Sequence, residues 1–197
     1  MYSFDLFFSY LKLGFGHIVD FNGFDHILFI ITLCAVYQIS EWKRITIVVT
    51  AFTLGHSLTL ALASLKIILP DQFLIELLIP FTILFSGLFN LLFLKYDWKT
   101  TRQWGKYILA LFFGLIHGMS FSGYFTYIMG DASKILFPLF SFNLGIEFGQ
   151  LFVIFLYYLF VIILVRGLRI NYKYSAWFFS ILGIVVSIVL IVIRIQK

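Results

Sequence analysis

All four histidines of this chain, His17, His26, His56 and His117, lie inside or at the edge of stretches apolar enough to span a bilayer. A histidine in hydrocarbon is costly unless it is paired, faces a cavity or binds something. Three acids, Asp25, Glu76 and Glu147, share those surroundings. Imidazole with carboxylate is the donor set of a divalent transition-metal site. Structural pairing accounts for one or two such groups and is a poor account of all seven.

The groups fall into four constellations. His17 precedes Asp25-His26. On one continuous helix His17 and His26 would point to opposite faces, because nine residues turn about 900°. A break at Asn22-Gly23 brings them together. Asp25 also suits a helix start, where the dipole favours a carboxylate, so a capping role competes with a site role. In the second, His56 has Thr53 and Thr59 three residues to either side, and Ser57 beside it. In the third, Gly114 and Gly118 bracket His117 as a small-xxx-small pair that permits close helix approach. Ser120 shares the face of His117. For both histidines, packing across helices is the competing role. In the fourth, Asn143, Glu147 and Gln150 form one stripe at helical spacing, and Ser141, Gly145 and Gly149 form the opposite one. The first stripe offers polar ligands to a bundle centre; the second packs against a neighbour. Glu76 stands near a membrane boundary, where reaching headgroups explains it as well as a site does. Asn90 is expected to bond a neighbouring helix.

These residues need helices to hold them at membrane depth. The chain is 62% hydrophobic and 12% charged over 197 residues, with 26 Phe and 11 Tyr. Its mean hydropathy is +1.04. Residues 45–65, 107–130 and 174–193 carry no Asp, Glu, Lys or Arg; 135–165 carries only Glu147 and 73–94 only Glu76. Segment 24–40 opens with Asp25-His26 and then runs apolar. Each reaches or approaches the roughly 20 residues a helix needs to cross. The long unbroken runs exclude a barrel of alternating strands. The expectation is an all-α integral membrane protein, one transmembrane domain over 1–197, with six transmembrane helices. Residues 3–20 add an N-terminal helix that dips into the membrane or lies at its interface and breaks at Asn22-Gly23.

Lys43 and Arg44, then Lys95, Lys99, Arg102 and Lys106, then Arg166, Arg169 and Lys173 mark alternate loops as basic. The intervening loops pair Lys66 with Asp71 and Asp131 with Lys134. The positive-inside rule then places both chain ends outside, although Arg194 and Lys197 run against it. On this topology the ionisable groups occupy the outer half of the bilayer, and the inner half holds Asn90 and little else polar. The single Cys34 excludes an internal disulfide and a cysteine-cluster metal site. The net charge of +5 belongs to loops and gives no reason to expect nucleic acid. Met1 to Tyr10 carry Asp5 and no basic n-region, unlike a cleavable signal peptide.

The blocks Gly23-Phe-Asp25-His26-Ile-Leu-Phe, Phe52-Thr-Leu-Gly-His56-Ser57-Leu-Thr59, Phe113-Gly-Leu-Ile-His117-Gly118 and Phe142-Asn143-Leu-Gly-Ile-Glu147-Phe-Gly-Gln150 resemble, in order, conserved blocks of the HupE/UreJ family. Within the first block, Gly23, Asp25 and His26 fit the family pattern. His17 stands two residues further upstream than the family histidine, and Ile18 replaces its proline. The resemblance implies a bacterial inner-membrane protein, a nickel or cobalt permease, with metallo-enzyme maturation proteins as partners. Its ligands would be His17, Asp25, His26, His56, His117 and Glu147, supported by Ser57, Glu76, Asn143 and Gln150. In that reading an ion enters at Asp25 and His26 and passes to His56, His117 and Glu147. The alternative is a membrane-embedded zinc-type hydrolase of a lipid or lipid-linked substrate, with Glu147 as general base. A transporter needs polar access from both sides, an enzyme from one.

Overall fold

The computed structural model describes residues 4–69, 71–96, 103–129 and 135–196. Lys99, Arg102, Asp131, Lys134 and Lys197, used above for orientation, lie outside them. Among the described residues the chain is helical, with no strands. The helices are α1 (Phe4–Val19), α2 (Phe24–Cys34), α3 (Trp42–Ser64), α4 (Gln72–Tyr96), α5 (Gln103–Met129), α6 (Leu136–Ile162) and α7 (Tyr172–Ile195). Helices α3 to α7 are each long and apolar enough to cross a bilayer.

The first span differs from the expectation. Segment 24–40 is not one crossing helix, because α2 has only 11 residues. At 1.5 Å per residue that is about 16 Å, half the hydrocarbon thickness. Helices α1 and α2 meet at a 3₁₀ turn, Phe21–Gly23, and are bent by 72°. Counted together they make a sixth, broken span; counted apart, there are five. The chain does break where Asn22-Gly23 stands. The early end of α2 has a physical cause. The Tyr158 hydroxyl reaches the carbonyls of Cys34 and Tyr37 at 3.2 and 2.7 Å, and the Tyr172 hydroxyl donates to Ala35 O at 2.8 Å. These phenols satisfy carbonyls that the helix leaves open inside the protein.

Two helix pairs form the centre of the bundle, and both rest on glycine. A Cβ at Gly55 would strike Leu111 O, and one at Gly114 would strike Phe52 O, so α3 and α5 lie backbone to backbone. Thr59 Oγ1 adds a bond to Leu115 O at 2.8 Å. Helices α1 and α6 repeat the device: Gly145 faces Leu11 O and Gly14 faces Phe142 O. The Ser141, Gly145, Gly149 stripe therefore packs against α1, as its spacing suggested. Asn90 on α4 bonds Thr32 O of α2 at 2.6 Å and Ser180 Oγ of α7 at 3.3 Å, the interhelical role expected of it.

The bundle has two unlike ends. Lys106 Nζ lies 4.6 Å from the Tyr37 ring centre, and Tyr158 and Tyr172 hold the chain after α2. The starts of α3, α5 and α7 and the end of α6 therefore meet at one end. Lys43, Arg44, Lys106, Arg166, Arg169 and Lys173 gather there. We call this the basic end. The start of α4 and the end of α7 mark the other, where Arg194 Nη1 donates to Glu76 O.

Candidate metal centre

The broken span puts His17, at the end of α1, beside His26, in the first turn of α2. Their ring centres are 4.5 Å apart. His56 of α3 lies 5.8 Å from His17 and 6.5 Å from His26. One ligand atom from each of these three histidines lies within 4.8 Å of the other two. His117 of α5 packs against His26 at 5.1 Å. His56 and His117 are fully buried. Thus four histidines from four helices meet at one place. The α3–α5 glycine contacts flank it, because a Cβ at Gly118 would meet His56 O.

The nitrogen atoms are assigned by their neighbours. His26 Nδ1 lies 3.2 Å from Asp25 Oδ1, so Nδ1–H donates to the carboxylate. That leaves the lone pair on Nε2, the usual arrangement of a metal-binding histidine backed by a carboxylate. Asp25 Oδ2 in turn meets Arg194 Nη2 at 3.3 Å. His117 Nε2 is 2.9 Å from Thr82 Oγ1, while that hydroxyl also lies 2.7 Å from Ile79 O. A hydroxyl has one proton. If Thr82 gives it to Ile79 O, His117 Nε2–H donates and Nδ1 keeps the lone pair. Five imidazole nitrogens are then buried with no hydrogen-bond partner among the described residues: His17 Nε2, His26 Nε2, His56 Nδ1 and Nε2, and His117 Nδ1.

Buried polar atoms without partners are rare, and each costs about 1–3 kcal/mol. Five in one cluster call for a ligand. The surroundings supply none: Phe121 lies 4.1 Å from the His17 ring, and Phe29 and Phe52 lie 4.7 and 5.2 Å from His117. Imidazoles inside an aromatic wall suit a borderline divalent ion such as Ni²⁺, Co²⁺ or Zn²⁺. Bonds of about 2.0–2.1 Å place tetrahedral ligand atoms about 3.4 Å apart, so the three imidazoles would draw together around an ion from separations within 4.8 Å.

Other expected ligands stand outside this trio. Asp25 backs His26 and takes its backbone N–H at 3.0 Å. Glu147 accepts from Thr50 Oγ1 at 2.6 Å, and Gln150 Oε1 accepts from Thr53 Oγ1 at 2.8 Å. The polar stripe of α6 thus faces α3, one and two turns from His56 on the side of the basic end. Polarity therefore continues past the histidines where the sequence suggested a dry half. Asn143 Oδ1 is buried without a partner among the described residues. Glu76 is exposed and accepts from Gln72 at 3.1 Å. Ser57 and Ser120 bond carbonyls of their own helices, Thr53 O and His117 O, at 2.6 and 2.8 Å.

On the other side of the trio, a cavity of about 680 Å³ is lined by Ser9, Lys12, His17, Asp20, Phe121 and Tyr124. It gives His17 access away from the basic end.

Sequence reasoning missed three contributors. Thr82 belongs to a stripe with Ser86 and Asn90 at four-residue spacing, a legible helical pattern. Thr50 precedes Thr53 by three and extends the Thr53, His56, Thr59 face of α3 toward the basic end. In the sequence Arg194 stands only as a charge against the topology. Its signal was Pro80, which has no N–H to give the carbonyl four residues back, at Glu76. Arg194 fills that vacancy and reaches Asp25.

These features define a multi-pass helical membrane protein with a buried histidine cluster. The family model described as HupE / UreJ protein matches residues 2–196, nearly the whole chain. The chain belongs to the HupE/UreJ family. No curated protein and no solved structure matches it.

Proposed function

We propose that the protein is a permease for a divalent transition metal of the nickel or cobalt type, carried as its substrate through the histidine cluster. The observation that carries the reading is the set of five unpartnered, buried imidazole nitrogens, with His17, His26 and His56 close enough to share one ion. Two further features favour passage over a closed structural site. The cavity beside His17 offers access on one side. The Thr53–Gln150 and Thr50–Glu147 pairs place oxygen ligands between α3 and α6 on the other.

In this reading the ion loses water in the cavity and is taken up by His17 and His26, then by His56. Asp25 orients His26, and Arg194 neutralises Asp25. His117 stands ready as the next imidazole. By the positive-inside rule the basic end faces the cytoplasm of a bacterial inner membrane, and both chain ends lie outside. Metallo-enzyme maturation proteins would receive the ion.

Two measurements test this: metal content of the purified protein, and uptake of Ni²⁺, Co²⁺ and Zn²⁺ by sealed vesicles that contain it. The permease should accumulate at least one of these ions, and His56→Ala should abolish accumulation. Bound metal without uptake would replace this reading by a membrane-embedded zinc-type hydrolase.

A further inference from the structure

A second site lies at the basic end, away from the histidines. Helices α3 and α6 touch at Thr50–Glu147 and Thr53–Gln150. Toward the basic end a cleft opens between them. Its deep part is a cavity of about 250 Å³ with apolar walls that include Trp42, Ile45, Leu151, Phe155 and Leu159. Its outer part is a second cavity of about 250 Å³, which adds Gln38, Ser40, Arg166 and Tyr172. The two adjoin, because Ile39, Tyr158 and Ile162 line both. The result is one groove, polar at the mouth and apolar along its length. Arg166 reaches it from a π-helical turn, Ile163–Gly167, that ends α6.

Dimensions and charge identify the occupant. From Ile162 to Leu151 the groove follows α6 for about 16 Å at 1.5 Å per residue. One leaflet of hydrocarbon is about 15 Å deep, half of the full core. At the mouth the cations outnumber the acids. Glu41, whose other oxygen accepts the Gln38 backbone N–H at 3.0 Å, is paired with Arg44. No carboxylate pairs with Arg166 among the described residues. We propose that this groove binds one anionic phospholipid of the leaflet at the basic end, its phosphate on Arg166 with Ser40 and Gln38 beside it, and one acyl chain between α3 and α6. Basic pockets between helices on this side of a membrane are suited to such headgroups. The site stands apart from the metal reading and holds whether or not the protein transports an ion.

The test uses the purified full-length chain in detergent, with dioleoyl phosphatidylglycerol or dioleoyl phosphatidylcholine added, read by native mass spectrometry. The anionic lipid should be retained about fivefold better than the neutral one, the worth of one cation near the surface. Arg166→Gln, a change at an exposed side chain, should bring that ratio close to one. Lys173→Gln should leave it unchanged, because Lys173 lines a different cavity. Thr46→Phe should displace both lipids by filling the apolar part, since Thr46 lines it and, among the described residues, its hydroxyl bonds only Trp42 O of its own helix. Equal retention of the two lipids would overturn the proposal. So would an equal loss in Arg166→Gln and Lys173→Gln, which would mean diffuse surface attraction. Displacement of the lipid by glycerol phosphate at equal concentration would overturn it too, by showing that the chain adds nothing.

Discussion

A buried imidazole that lacks a partner is a liability to the folded protein and an asset to a ligand. His56 carries two such nitrogens at zero exposure. Its replacement by an apolar residue of similar size removes the cost of the unpaired atoms without opening a large cavity. We therefore predict that His56→Leu loses metal binding while the metal-free protein unfolds at the same temperature or a few degrees higher. The scale is about 2–4 °C per kcal/mol for a chain of this size. A packing histidine bonded across helices would behave oppositely, with a modest loss of stability and no effect on metal. Thermal unfolding with and without chelator separates the two. Thr82→Val makes a second contrast. It leaves His117 Nε2 without its only partner among the described residues, so the metal-free protein should lose about 1–3 kcal/mol of stability. Loss of metal affinity should be smaller than in His56→Leu, because His117 is outside the trio of shared ligand atoms.

Between elements, the glycines decide how near the histidines come to one another. Gly55 and Gly114 let α3 and α5 approach until their backbones touch, and His56 and His117 ride on those helices. Gly55→Leu should force the pair apart, costing at least the 1–3 kcal/mol typical of overpacking and dispersing the cluster. Gly105→Ala, on the same α5, meets nothing within 4 Å and should be tolerated. Folded yield and unfolding temperature of both variants check this. The same pair shows what the sequence could tell. Small residues at four-residue spacing announced a close approach on α5 and the packed face of α6, because helical periodicity is a local property. The extent of α2 was not local. Its end is fixed by hydroxyls of Tyr158 and Tyr172, more than 120 residues away in sequence. The partner of Glu147 was equally hidden, since nothing in the stripe Asn143, Glu147, Gln150 distinguishes a threonine of α3 from a histidine beside it. Four histidines in apolar stretches are legible in the sequence at once; that α1 and α2 fold back to join two of them depends on a turn of three residues.

Across the whole molecule, polar groups run from the cavity at Ser9, Lys12 and Asp20, through the histidines, to Gln150 and Glu147. A permease needs the last part of that run and a sealed metal site does not. Gln150→Leu tests the difference with little risk to the fold. Gln150 is 1% exposed and its Nε2 has no partner among the described residues, so an apolar replacement removes an unpaired donor. Thr53 is not stranded, because its hydroxyl also reaches Val49 O at 3.2 Å. The histidine trio keeps every ligand atom. Metal affinity of the purified variant should therefore match the parent, while uptake into vesicles should fall about tenfold, equivalent to about 1.4 kcal/mol on the barrier to release. Equal uptake would remove the polar stripe of α6 from the route. Loss of binding together with uptake would mean that the stripe and the histidines form one site, and the ion would then be held across α3 and α6 rather than passed between them.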